Sequence, residues 1–186
     1  PFILLLTLFL LLSTIACNSQ DTTLQNNKPT LCSEFNLEGY ITLGVHIPKD
    51  GSKAYLNVIQ ESHYDPTLSL GELSAEIFVL TKEQGHYTNP EPFTLPTDFN
   101  YSFSMALSPD GQKMYLSAQN TTFFGNDSIN LLVGDIHGNT LENLEALDDI
   151  NTSNAQFVAS VDAQQNLIYI SNVSERYSQI FYSSYE

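Results

Sequence analysis

Ser108-Pro109-Asp110-Gly111-Gln112-Lys113-Met114-Tyr115-Leu116-Ser117 is the stretch that decides the fold. Proline fixes φ at an early turn position, aspartate hydrogen-bonds back to the backbone, and glycine accepts positive φ. Upstream, Phe103, Met105 and Leu107 recur with period two, the mark of a half-buried strand. Downstream, Met-Tyr-Leu opens a second apolar run. The sequence therefore predicts two short strands joined through a Pro-Asp-Gly turn, with an aromatic residue in the second.

The pattern recurs. Val45-His46-Ile47-Pro48-Lys49-Asp50-Gly51-Ser52-Lys53-Ala54-Tyr55-Leu56 is a first copy, in which Lys49 stands as an insertion before Asp50. Ala159-Ser160-Val161-Asp162-Ala163-Gln164-Gln165-Asn166-Leu167-Ile168-Tyr169-Ile170-Ser171 is a third, which keeps Asp162 but lacks Pro and Gly. Aligning Tyr55, Tyr115 and Tyr169 gives spacings of 60 and 54 residues. A further apolar segment follows each turn at a similar distance: Glu76–Leu80, Ser128–Val133 and Ser178–Ser183. Units lie around 45–95, 103–147 and 158–186, each complete one offering about four short strands. Repetition on this scale predicts one supersecondary element per copy, stacked on its neighbours.

With those residues in view, the second copy resembles the S-P-D-G-x-x-(apolar)-Y-(apolar)-S core of WD-like propeller repeats. Such repeats occur in TolB-type periplasmic proteins and in lipoproteins associated with outer-membrane protein A-like domains. Pro90-Glu91-Pro92 fits the same family pattern. The resemblance covers about residues 40–186 and implies an all-β chain, with a partial propeller over 36–186: an open arc of two to three four-stranded antiparallel blades belonging to a larger, six-bladed propeller. Pro48, Asp50, Gly51, Pro109, Asp110, Gly111 and Asp162 are then structural turn residues. An open arc exposes strand edges, which native proteins avoid, so the chain reads as a fragment of a longer one.

Residues 2–15, FILLLTLFLLLSTI, form an uncharged apolar run. It is shorter than the roughly 20 residues needed to span a bilayer and has the length of a signal-peptide core. Its end, Ser13-Thr14-Ile15-Ala16-Cys17, resembles the lipobox of bacterial lipoproteins. Residues 1–16 are then a signal peptide, and Cys17 carries the lipid. Thr14 stands where leucine is usual. Lipid chains contribute about 0.8 kcal/mol per buried CH₂, and two or more make a stable anchor. Residues 17–35 read as the lipidated cysteine and a polar tether, with Cys32 as the remaining thiol.

Charge narrows the partners. There are 6 Lys+Arg against 21 Asp+Glu, a net charge of −15, which leaves too few cations to grip a phosphate backbone. Nucleic acid is excluded, and contact with membrane is expected through the lipid anchor alone. The acidic surface instead favours a basic or cation-bridged partner: an envelope protein, a peptide or a glycan. Loops at 57–75 and 117–128 are the expected carriers of specificity.

One segment points to chemistry. Gly134-Asp135-Ile136-His137-Gly138-Asn139 resembles the first motif of calcineurin-like metallophosphoesterases, in which Asp and His bind a two-metal centre. Asp135 and His137 are the candidate ligands. No histidine follows His137 to complete that family's pattern, and the repeat predicts a blade hairpin here with a tight turn at Gly138-Asn139. The acidic group Glu142, Glu145, Asp148 and Asp149 reads as solvated loop carboxylates. No nucleophile elbow, phosphate loop or Cys-x-x-Cys is present. The expected function is a membrane-anchored scaffold in the periplasm or on the outer membrane, with no cofactor and no catalysis. The alternative is a propeller preceding a prolyl-oligopeptidase-like catalytic domain.

Overall fold

A computed structural model describes residues 33–65, 75–125, 128–174 and 177–183. The expected signal peptide, Cys17, Cys32 and most of the expected tether lie outside the described residues.

The described chain is all-β. Strands β1 (Tyr40–His46), β2 (Lys53–Gln60), β3 (Glu76–Glu83) and β4 (His86–Pro92) form one antiparallel sheet in sequence order. A second sheet of the same design holds β5 (Asn100–Leu107), β6 (Lys113–Gln119), β7 (Asn130–His137) and β8 (Thr140–Ala146). The third has three strands, β9 (Gln156–Val161), β10 (Leu167–Ser174) and β11 (Tyr177–Ser183). Each sheet is a simple meander, and the three begin at Tyr40, Asn100 and Gln156, before the expected units at 45, 103 and 158. Among the described residues helix is confined to one turn, α1 (Thr121–Phe124), and short 3₁₀ turns at Ser33–Phe35 and Glu61–His63.

Burial explains the continuous apolar runs. Met114, Leu116 and Ala118 of β6 pack toward the first sheet with Tyr55, Ile77, Val79 and Phe93. Tyr115, on the opposite side of the same strand, packs with Val158, Leu167 and Tyr169 of the third sheet. The middle sheet is therefore buried on both faces, which is why β6 reads as an unbroken apolar segment. Ala54, Leu56, Val58 and Leu80 on the far face of the first sheet are covered by Phe35 and its neighbours. The sheets meet along their first strands, β1 against β5 and β5 against β9.

Three sequence boundaries move. Residues 57–60 and 117–119, expected in loops, extend β2 and β6, because Val58, Ile59 and Ala118 are core residues. Ser33–Phe35, expected as the end of the tether, docks on β4. There Glu34 accepts hydrogen bonds from the Tyr87 amide at 3.1 Å and meets His86 Nδ1 at 2.8 Å. Phe35 lies 5.4 Å from the Tyr87 ring. Pro90 and Pro92 fall in β4, an edge strand, where a missing donor is tolerated.

Candidate functional site

In each sheet one hairpin joins the first two strands, built on Pro, Asp and Gly in the first two sheets and on Asp162 in the third. In the second copy the Gly111 amide donates to the Ser108 carbonyl at 2.9 Å, with Gly111 at φ 69°. Asp110 Oδ1 accepts from the Ser108 hydroxyl at 2.6 Å and from the Gln112 amide at 3.1 Å. In the first copy Gly51 donates to Pro48 at 2.9 Å, and Asp50 accepts from the amide and hydroxyl of Ser52. These hydrogen bonds, the Ser108 hydroxyl foremost for Asp110 and the Ser52 amide for Asp50, hold both carboxyls below their ordinary range.

The third copy keeps the turn with different residues. Gln165 donates to the Asp162 carbonyl at 3.0 Å and adopts φ 68°, standing where Gly51 and Gly111 stand. Asp162 therefore occupies the first turn position, that of Pro48 and Ser108, not the position of Asp50 and Asp110. Its carboxylate accepts from the amides of Gln164 and Asn166 and from the Asn166 side chain. The Asn166 side chain is the main cause that lowers its pKa. By the same alignment Pro48 matches Ser108 and Lys49 matches Pro109, so the first turn carries no insertion.

Successive turns touch. The Lys49 amide donates to the Pro109 carbonyl at 3.3 Å. Lys53 Nζ reaches the Gly138 carbonyl at 3.5 Å. Between them lies an open cleft of about 230 Å³ whose lining includes Pro48, Asp50, Lys53, Asp110, Gln112 and Gly138. Its carboxylates are committed to the hairpins that carry them, so the surface is built as turn scaffolding.

Asp135 and His137 sit on β7, two residues apart, beside a tight turn at Gly138-Asn139. Only Gly138 of that pair has positive φ, 64°, the type II′ arrangement. Asp135 accepts from Lys113 Nζ at 3.2 Å and from Asn143 Nδ2 at 3.0 Å. The Asn143 hydrogen bond, then the lysine, lowers its pKa. This carboxylate is part of an ion pair across neighbouring strands. Among the described residues no three His, Cys, Asp or Glu side chains gather in a way that would hold a metal ion, and no helix is long and apolar enough to cross a membrane.

The opposite, loop end carries features the sequence reading did not single out. Phe99 and Phe123 meet edge to face at 5.1 Å, Phe123 and Phe124 at 5.0 Å, and Phe99 lies 5.7 Å from Tyr101. Phe123 is 45% exposed. The helix that presents the pair, α1, is capped by Asn120, whose side chain accepts from the Phe123 amide at 2.9 Å. Asn120 also donates to the Asp98 carbonyl at 2.7 Å, fixing the helix against the β4–β5 link. The local signal was legible: Asn120-Thr-Thr-Phe-Phe-Gly125 has an N-cap residue and a C-terminal glycine.

No protein-family model matches the chain, and no curated protein sequence matches it.

Proposed function

We propose that the chain is part of an exported, lipid-anchored β-propeller of the cell envelope that binds a partner and does no chemistry itself. The observation that carries this reading is a hairpin joining the first two strands of each of three sheets that adjoin along their first strands, with Tyr55 and Tyr115 at one register position and Ile168, after a turn one residue shorter, at the same place in the third. Blades around a common axis meet in this manner, inner strand beside inner strand. Rigid sheets with loops gathered at their ends suit recognition, because loops can vary while the scaffold holds them. The lipobox-like Ser13–Cys17 supplies the anchor, and the acidic surface favours a basic envelope protein or peptide.

Three experiments test the reading. Cells expressing the full chain are fractionated with Cys17 intact and with Cys17→Ala; the variant is expected to leave the membrane fraction, and continued sedimentation with membranes sinks the anchor. In-cell cross-linking is expected to capture a defined envelope partner. Hydrolysis of a phosphoester or peptide substrate by the purified chain, abolished by Asp135→Asn, would replace the scaffold with an enzyme.

A further inference from the structure

The two ends of the sheets differ in charge. Lys49, Lys53, Lys82 and Lys113, all the Lys and Arg among the described residues, lie in or beside the hairpins of the turn end. The loop end has none of them among the described residues. It carries exposed carboxylates at Glu61, Glu76 and Asp98. The Ala75 amide, beside Glu76, donates to the Tyr101 carbonyl at 3.3 Å and so joins that segment to the Asp98 link, while the Glu61 amide donates to Gly39 at 2.9 Å at the same end of the first sheet.

The aromatic cluster lies at this end. Phe99, Phe123 and Phe124 present ring faces and edges beside the Asp98 segment, with Phe123 nearly half exposed. Beneath them the Tyr101 side chain is 6% exposed, and its hydroxyl finds no hydrogen-bond partner among the described residues. Burial, reinforced by the Asp98 charge, holds that hydroxyl in its protonated, donating form.

Exposed aromatic surface is expensive to leave in water and is enriched where proteins dock. A ring face also attracts an ammonium or guanidinium group. Carboxylates with no lysine or arginine beside them among the described residues add a negative field over the same surface. Resting on the scaffold reading above, we infer that the loop end is the docking surface and that its occupant is a basic, partly apolar peptide segment. Its Lys or Arg side chains lie over the phenylalanine cluster, and its charges face Glu61, Glu76 and Asp98. An acidic peptide or an anionic lipid surface would be repelled by the same field.

The test uses the full chain purified in a mild nonionic detergent. Fluorescence anisotropy follows binding of a labelled peptide of alternating Lys and Leu, with a Glu/Leu peptide as its counterpart. The Lys/Leu peptide is expected to bind and the Glu/Leu peptide not to. Phe123→Ala, and separately the pair Glu76→Gln with Asp98→Asn, are each expected to weaken binding about tenfold. Asp50→Asn with Asp110→Asn removes the same number of charges at the turn end and is expected to stay within twofold. Phe123 is outside the core and the Gln and Asn changes are isosteric, so circular dichroism should be unchanged in all variants. No binding of the Lys/Leu peptide overturns the inference. Equal weakening by turn-end and loop-end pairs also overturns it, because net charge alone would then explain the affinity. Fractionation of Cys17→Ala and capture of an envelope partner read the scaffold assignment independently of either result.

Discussion

Gly51, Gly111 and Gln165 hold one turn position at φ of 64°, 69° and 68°, yet substitution should affect them differently. A Cβ on Gly111 would stand 2.9 Å from the Pro48 Cβ, whereas one on Gly51 meets nothing nearer than the Tyr87 hydroxyl at 3.9 Å. Gly51→Ala should therefore cost only the left-handed strain, about 1 kcal/mol. Gly111→Ala adds an overpacked contact between two turns and should cost about 3 kcal/mol. Gln165→Gly relieves strain but loosens the unfolded chain, for a net gain of about 0.5 kcal/mol. Urea midpoints of the three variants give the order directly. His46 supplies a pH test at the same scale. Burial pushes its pKa down to about 4 from 6.5, so the folded state prefers the neutral ring. Stability is complete above pH 6.5 and falls as pH drops from 6.5 toward 4, by on the order of 2 kcal/mol. His46→Asn should flatten that part of the profile.

Between elements, the join of the second and third sheets is polar as well as apolar. Val158 of β9 has both backbone groups held by serines of the middle sheet: its carbonyl accepts from the Ser104 hydroxyl, and its amide donates to Ser117 Oγ at 2.9 Å. Val158, Ser104 and Ser117 are all buried. Ser117→Ala leaves a buried amide without its acceptor and should cost about 1–3 kcal/mol. Hydrogen exchange should quicken over β9 and β10 while β2 and β3 keep their protection; uniform quickening of all three sheets would mean that the serine supports the core generally. This join also shows the limit of sequence reading. The strands before and after each turn were legible, because periodicity and Pro-Asp-Gly chemistry are local. The third turn was legible only in part, since glutamine at positive φ gives no sequence signal and only the surrounding sheet holds it there. The serines and the aromatic cluster were not singled out, because their meaning comes from partners tens of residues away.

Across the whole molecule, the surfaces of the sheets are unequally protected. Among the described residues each sheet ends in a strand with one partner, β4 on β3, β8 on β7 and β11 on β10, and β11 differs in the side chains it leaves in water. Ile180 is 76% exposed and Tyr182 is 62% exposed on this strand. An open edge bearing large apolar side chains invites pairing with another chain. A strongly acidic protein resists this through mutual repulsion, but that repulsion falls as salt screens it within a Debye length of about 8 Å at physiological ionic strength. Added salt should therefore promote association of the 186-residue chain, measured by light scattering, and the effect should depend on β11. Ile180→Lys places a charge on the edge strand and should suppress salt-induced association. It should leave the melting temperature nearly unchanged, since the side chain is mostly in water and substitution there is worth within about 0.5 kcal/mol. Association that persists in this variant would move the sticky surface elsewhere, with the exposed Phe123 ring at the loop end the next to substitute.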